Sequence, residues 1–368
     1  MGKVEAHLAQ KLQQVEWAKF SYNDLFQLIS GHKIKNKSEL PLEGKFPVYS
    51  SDSNNNGVVG YIDTPTYICN EESKIYVIFG EHTRSFNIAD TSFSILDNVK
   101  VLKPLKEISL NQLFFIISSW KKEIPNLGYA RHWKVAKNIQ FFLPVKNNEI
   151  DFDFIEEFIS ELQAERLQEL QGYLRVTGLS NYTLNEKEKN AIARLNEIEW
   201  GKFNLEKLFG KATRGKRLKS ADRISGLLPF VTAGETDTGI SAFIGNKVDV
   251  FNANTITIDM FGSAKYRNYS YGADDHIAVV HCDHLMKEAV LFLTSAIHKV
   301  SNSGQFSYAR NFYAKDADQL NISLPIKNGI PDYELMSILG SAIQKLVIED
   351  VVKYTDREIM GYQQVISS

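Results

Sequence analysis

Glu16-Trp17-Ala18-Lys19-Phe20 returns 183 positions later as Glu199-Trp200-Gly201-Lys202-Phe203, and this recurrence decides the fold. Tyr129-Ala130-Arg131 comes back 179 positions on as Tyr308-Ala309-Arg310. Leu143-Pro144-Val145-Lys146-Asn147 comes back 181 positions on as Leu324-Pro325-Ile326-Lys327-Asn328. The register hardly drifts over half a chain. A solenoid unit runs to roughly 20–50 residues, so each copy here is instead long enough to be a domain with its own core. Two similar, non-identical modules in one chain point to two related tasks on two targets.

With 368 residues, 43% hydrophobic and 23% charged, the chain fits two globular domains of ordinary size. No apolar run approaches the roughly 18 residues that cross a bilayer. The opening Met1-Gly2-Lys3-Val4-Glu5-Ala6-His7 lacks the apolar core of a signal peptide. Cys69 and Cys282 fall at unrelated points of the repeat, which argues against a disulfide framework. A cytoplasmic protein is expected. The formal net charge of −2 speaks against a nucleic-acid partner until its distribution is considered. Glu149 to Glu169 holds eight acids against Arg166 alone. Bases gather instead at His32-Lys33-Ile34-Lys35-Asn36-Lys37 and at Lys211, Arg214, Lys216, Arg217 and Lys219. A phosphate backbone feels the local field, so a neutral total can hide a basic working face.

Each half shows the same order of parts. Val4, Leu8, Leu12 and Val15 step at helical spacing, as do Ile192, Leu195 and Ile198, and Thr183-Leu184-Asn185-Glu186 has the form of a capping box. Short β-rich segments follow. Lys74–Phe79, Thr255–Phe261, Phe93–Leu96 and His276–Val280 read as strands by their branched and aromatic content. Each half closes on a long helix. Ile155, Ile159, Leu162, Arg166, Leu170 and Tyr173 make a stripe on a charged rod. Leu335, Ile338, Leu339, Ala342, Ile343, Leu346, Val347 and Val351 make a wider one. Charges beside such a seam suggest that the two helices pack on one another in coiled-coil style. The fold class is therefore mixed α/β (α+β).

Four matched features carry candidate chemistry. The basic loops recur, 31–37 against 213–219, giving Lys33, Lys35 and Lys37 in one copy and Arg214, Lys216, Arg217 and Lys219 in the other. Such loops attract phosphate, and arginine also holds guanine O6 and N7. Pro47-Val48-Tyr49-Ser50 through Gly57 to Ile62 matches Pro229-Phe230-Val231-Thr232 through Gly239 to Ile244. Its framework is shared but its polar residues differ, with Ser51, Asn54 and Asn55 standing against Thr232, Glu235 and Thr236. Amides and carboxylates read adenine and cytosine edges, whereas the same composition also makes ordinary turns. A third match follows Phe-Gly. It sets Phe79-Gly80 with His82 and Arg84 against Phe261-Gly262 with Lys265, Tyr266 and Arg267. The fourth places Arg131 against Arg310, each of which can contact DNA or pair with a carboxylate of its own domain.

His281-Cys282-Asp283-His284 invites a metal reading, but neighbours on a strand face opposite ways and the first copy has no matching ligands. No metal site is expected. Phosphate-binding, dinucleotide, nucleophile-elbow and zinc-finger motifs are absent, as is the Asn/Asp-Pro-Pro-Tyr/Phe element of amino-methyltransferases. Catalysis is not expected to reside in this chain.

Two unequal modules, each ending in a charged helix, resemble the DNA-specificity (S) subunits of type I restriction-modification systems. Asp259-Met260-Phe261-Gly262-Ser263-Ala264-Lys265-Tyr266-Arg267, with Ala273-Asp274-Asp275-His276 after it, looks more like the S subunits of type IIB (BcgI-like) enzymes. Gly57-Val58-Val59-Gly60-Tyr61-Ile62 and Gln305-Phe306-Ser307-Tyr308 also fit the family's target-recognition domains. In the first copy Glu81-His82-Thr83 replaces the Ser-Ala-Lys run.

The resemblance implies target-recognition domains over residues 1–150 and 181–330, joined by connector helices over 151–180 and 331–368 that run antiparallel. Each domain would read one half of a split, asymmetric double-stranded DNA site. The connector would dock methyltransferase (M) or fused restriction-modification subunits, and S-adenosylmethionine and Mg2+ would be bound by those partners. A helix from Asp151 to about Arg175 spans roughly 37 Å, close to the 34–36 Å of one DNA turn. The competing expectations are a nucleic-acid-binding scaffold without base specificity and an enzyme with an unrecognised site around His276–His284.

Overall fold

The computed structural model describes residues 6–41 and 43–367, with side chains as far as Ile359. Val4 of the opening helical pattern lies outside the described residues. The chain divides into two compact units, the first ending at Glu169 and the second beginning at Leu170.

The first unit runs α1 (Ala6–Gln14), β1 (Glu16–Phe20), β2 (Phe26–Ile29), β3 (Phe46–Tyr49), β4 (Val58–Ile62), β5 (Tyr76–Gly80), β6 (Ser85–Ala89), β7 (Ser94–Ile95), β8 (Val99–Pro104), α2 (Leu110–Glu123), α3 (Trp133–Ala136), β9 (Phe141–Lys146), β10 (Glu149–Ile150) and α4 (Phe152–Val176). The second runs α5 (Glu186–Ala193), β11 (Trp200–Asn204), α6 (Leu205–Phe209), β12 (Thr213–Arg214), β13 (Ser225–Val231), β14 (Ile240–Ile244), β15 (Thr255–Asp259), β16 (Ala264–Arg267), β17 (Gly272–Ala273), β18 (Ile277–Val280), α7 (Lys287–Ser301), α8 (Ala314–Gln319), β19 (Asn321–Lys327), β20 (Ile330–Pro331) and α9 (Tyr333–Ser367).

The duplication extends to strand pairing. Sheet order β2-β8-β5-β6 returns as β12-β18-β15-β16, β4-β3-β7 as β14-β13-β17, and β1-β9-β10 as β11-β19-β20. The opening Glu-Trp-x-Lys-Phe strands pair with the strands carrying Leu-Pro, Trp17 opposite Pro144 and Trp200 opposite Pro325. The repeated motifs are thus the two partners of one ladder.

Alternation along β5 sorts its side chains by face. Val77 and Phe79 join Leu113, Ile116 and Trp120 of α2 in one core, and Tyr76 and Ile78 join Tyr49 and Phe93 in another. Trp120 centres the first core: it packs against Phe26, Phe79 and Phe141, and its Nε1–H donates to Ala136 O at 3.0 Å, so no polar atom is left dry. In the second unit Ile256 and Ile258 meet Val290, Leu293 and Ile297 of α7. The other face of β15 is polar, with Thr255 bonded to Tyr271 Oη and Thr257 accepting from Arg267.

Five expectations are corrected. The β-rich stretch of each half also contains a helix, α2 or α7; the run Leu113-Phe-Phe-Ile-Ile117 is apolar enough to pass for a strand. The second short helix is capped by Asn185 with Glu188, not by Thr183, and it breaks into a 3-10 turn at Leu195–Glu197. The Phe-Gly match is out of register by three. Gly80 pairs with Val99 where Asp259 pairs with Ile277, so Phe79 sits inside a strand and Phe261 in the following turn. Likewise β7 corresponds to β17, and Ile277–Val280 corresponds to the start of β8. Finally, the fully buried residues coincide only in part with the stripes read from the sequence. Helix α4 buries Ile155, Phe158, Leu167 and Leu174 and exposes Tyr173; α9 buries Met336, Leu339, Ala342 and Val352 and exposes Ile343, Leu346, Val347 and Val351.

Candidate nucleic-acid interface

The polar loops between β3 and β4 and between β13 and β14 have one backbone and two sets of side chains. Ser50 N–H donates to Gly57 O at 2.8 Å, and Thr232 N–H donates to Gly239 O at 2.8 Å. Gly57 and Gly239 take φ of 78° and 84°. Just before them Asn55 and Asn56 (φ 46° and 50°) match Asp237 and Thr238 (φ 48° and 54°). Left-handed backbone is uncommon outside glycine and costs about 1–3 kcal/mol for a β-branched residue such as threonine. Both loops hold that conformation while Asn54, Asn55 and Asn56 in one, and Glu235, Thr236, Asp237 and Thr238 in the other, stand exposed. Asn55 spends its amide on Val58 O, and Asn54 has its backbone N–H on Asp52.

In the first unit this loop is tied to the β5–β6 turn. Ser51 is buried, and its Oγ accepts from His82 N–H at 2.7 Å and Thr83 N–H at 3.3 Å. His82 lies flat on Tyr129, with ring centres 4.7 Å apart at 13°. Buried Glu81 faces Lys100 at 3.7 Å and Arg131 at 3.8 Å, and Arg131 also reaches Asp97 at 3.7 Å. Arg84 turns inward to Ile124 O, and Lys33 bonds Asp97 O and Val99 O. Burial, then the Lys100 charge, pushes the Lys33 ammonium below its usual range. His132 was not foreseen from sequence. It is fully buried; Leu127 N–H donates to its Nε2, so its Nδ1 carries the proton given to Glu81 O, which clamps the 127–131 loop onto the turn.

The second unit builds the same junction from other groups. Asp259 Oδ1 accepts from Phe261 and Ser263 N–H at 3.0 Å, and Gly234 N–H points to Oδ2 at 3.4 Å. Lys265 bridges Glu235, Asp259 and Ser263. Hydrogen bonding to Ser263, then to Lys265, holds the Glu235 carboxyl below its ordinary range. Arg267 is only 1% exposed and donates to Thr257, Thr238 and Tyr269. Tyr266 donates to Asn254. Thr232 is half-buried. Arg310 pairs with Asp316 at 2.5 Å, which raises the guanidinium further above its ordinary range. Of the expected contacts, Ser51, Lys265 and Arg267 therefore bond to the polar loops or the turn beside them, while Tyr266 is spent on Asn254.

The basic loops lie at the other edge of each small sheet. Ile34 N–H bonds Ile95 O as Lys216 N–H bonds Ala273 O. Gly215 permits this approach, since a Cβ there would stand 1.9 Å from Ala273 O. Lys216 pairs with Asp249 at 3.0 Å. Lys35, Lys37, Arg214, Arg217 and Lys219 are exposed, and among the described residues no hydrogen bond or ion pair occupies their side chains.

The His281–His284 run does not converge: His281 meets Thr213, Asp283 meets Asn252, and burial pushes the Cys282 thiol up to about 12. Ligand atoms of Asp274, Asp275 and His276 do lie within 4.8 Å of one another, a cluster not read from the sequence. Among the described residues no helix is long and apolar enough to cross a membrane. Helices α7 and α9 border an apolar groove of about 810 Å³ that includes Trp200, Phe292, Ile343 and Val347.

Comparison with known proteins agrees with this architecture. The chain is 22% identical over 335 residues to the type II restriction enzyme BgcI specificity subunit, S.BcgI, of Heyndrickxia coagulans, covering 88% of this chain and 93% of that one. Its fold is similar to the crystal structure of the type I restriction-modification system S subunit from M. genitalium, at 16% identity and a TM-score of 0.59, covering 96% of this chain and 94% of that one. The type I restriction modification DNA specificity domain matches twice, at residues 14–172 and 197–351. The chain thus belongs to the family of type I restriction modification DNA specificity domains, and carries that domain once in each unit.

Proposed function

We propose that this chain is the sequence-reading subunit of a restriction-modification complex, and that each unit reads one half of an asymmetric duplex site. The observation that carries this reading is the pair of loops Ser50–Gly57 and Thr232–Gly239. They share a left-handed backbone, including φ of 50° at Asn56 and 54° at Thr238, yet present different polar side chains. Bases are told apart by the donor and acceptor pattern of such side chains, and a loop kept only to connect two strands gains nothing from holding a β-branched Thr238 where Asn sits at little cost. The exposed cations of the basic loops hold phosphate. Methyl transfer and cleavage, with S-adenosylmethionine and Mg2+, belong to partner subunits. Partners dock along the long helices, where α9 presents Ile343, Leu346, Val347 and Val351 to solvent.

Selection from a pool of randomised duplexes tests this. Two fixed motifs separated by a constant gap are expected. Replacing Asn54-Asn55-Asn56 with Thr-Asp-Thr should change the motif of one half and leave the other intact. Enrichment of a single continuous motif, or of none, would overturn the reading.

A further inference from the structure

Tyr129 and Tyr308 are 87% and 85% exposed, more than any other aromatic side chain among the described residues, and they occupy the same place in the two units. Each sits at the tip of a turn. Ser307 and Arg310 exchange backbone hydrogen bonds at 3.0 Å across Tyr308-Ala309, and Gly128, just before Tyr129, takes φ of 67°. The next residue but one is an arginine anchored to carboxylates of its own unit, Arg131 on Glu81 and Asp97, Arg310 on Asp316. Each ring leans on an aromatic of the hairpin turn beside it. His82 lies parallel to Tyr129, and Phe261 stands edge-on to Tyr308 at 5.1 Å and 84°. The carbonyls preceding those aromatics bind neighbouring places in the repeat, the third residue after Tyr129 and the fourth after Tyr308: Glu81 O accepts from His132 N–H and Met260 O from Phe312 N–H, both at 2.9 Å.

We propose that Tyr129 and Tyr308 are equivalent, sequence-independent contacts to the DNA backbone, with the hydroxyl donating to a phosphate and the ring lying against the neighbouring sugar. The proposal rests on the DNA-reading role above and adds to it two residues and a division of labour. Location supports it. In the first unit the polar loop reaches the platform through Ser51 Oγ and His82 N–H, in the second through Gly234, the Asp259 carboxylate and Phe261 N–H. Each tyrosine therefore leans on the same turn that anchors the polar loop of its unit. Recurrence fixes the kind of contact. Side chains that read bases differ between modules with different targets, whereas Tyr-Ala-Arg is identical in both. What two half-sites share is their backbone, and tyrosine is among the side chains that bond phosphate and set register without reading sequence. A protein partner is the weaker occupant, because the apolar surface that suits one lies elsewhere, around Trp200, Phe292 and Val347.

A contact to the backbone can be tested before any site is known. The full-length chain is titrated at low salt with a mixed-sequence duplex of about 30 base pairs. Tyr129→Ala and Tyr308→Ala should each weaken binding several-fold, to a similar extent, and the double variant by about the product. Tyr129→Phe and Tyr308→Phe should lose part of this, reporting the hydroxyl. Unfolding midpoints should not move, since both rings are exposed. Motifs selected from randomised duplexes should stay the same. If the double alanine variant binds within twofold of wild type while Arg217→Ala with Lys219→Ala binds more weakly, DNA binding stands and the tyrosine proposal falls. A changed motif would make the tyrosines base readers and would overturn it too. A wild-type chain that binds no duplex overturns both this proposal and the reading it rests on.

Discussion

At Glu188 the second unit buries a carboxylate that the sequence marks only as the end of an Asn-x-x-Glu capping pattern. Its oxygens take Ser341 Oγ–H at 2.7 Å, Lys345 Nζ at 2.9 Å and Asn185 N–H at 2.8 Å, so one side chain caps α5 and ties it to α9. Burial pushes its carboxyl up, but the bonds from Lys345, Ser341 and Asn185 outweigh it and hold the group below the usual glutamate range. A carboxyl lowered by folding stabilises the protein above its unfolded value, near pH 4.3, and that contribution is lost as pH falls through the folded value. Glu188→Gln leaves the Lys345 ammonium, itself largely enclosed, without its partner. With Lys345 still bonded to Thr183 O, it should cost about 2–3 kcal/mol near neutral pH. Denaturant unfolding across pH checks this: the gap from wild type should narrow only below about pH 4. A gap that is constant down to pH 3 would mean that the charge is not what matters.

At the scale of elements, sequence patterns reveal order better than register. The matching of Trp17 with Trp200, and of Leu143-Pro144 with Leu324-Pro325, is legible because those residues form a ladder that both units need. The Phe79-Gly80 and Phe261-Gly262 match misleads because a chance dipeptide is stronger locally than the alternation that sets which strand residue faces the core. The polar loops were legible as different; that they share one left-handed backbone was not, since Asn and Asp take positive φ far less often than glycine and Thr238 gives no sign of it.

Helix crossings were also out of reach. Gly340 brings α9 against the first turn of α7, where a Cβ would stand 2.3 Å from Glu288 O. The position corresponding to Gly340 in α4 is Ile159, counting from the capping Asp332 and Asp151, so the two units pack these helices differently. Alanine is the better helix former by about 1 kcal/mol, so propensity alone makes Gly340→Ala stabilising. The close approach predicts the opposite, a loss of about 1–3 kcal/mol from forcing the helices apart. Urea unfolding gives the sign, and a stabilised variant would refute the contact's role.

For the molecule as a whole, helix α4 is the element that passes from one unit into the next: it spans Phe152–Val176, and the boundary between Glu169 and Leu170 falls inside it. Its 25 residues measure about 37 Å, against 34–36 Å for a turn of DNA. If each unit reads one half-site and α4 acts as a ruler between them, lengthening this rod changes the number of base pairs left unread. Inserting Ala-Glu-Ala-Lys after Glu169 adds about 6 Å and slightly more than one helical turn, so both units keep their own cores and loops. The two motifs selected from randomised duplexes should then be unchanged in sequence, while the gap between them grows by about one or two base pairs, each worth about 3.4 Å of DNA axis. Because motif and gap are read from the same selected sequences, the outcomes separate cleanly. Lost motifs mean that the insertion disturbed a unit, and unchanged motifs at an unchanged gap mean that α4 does not measure the site.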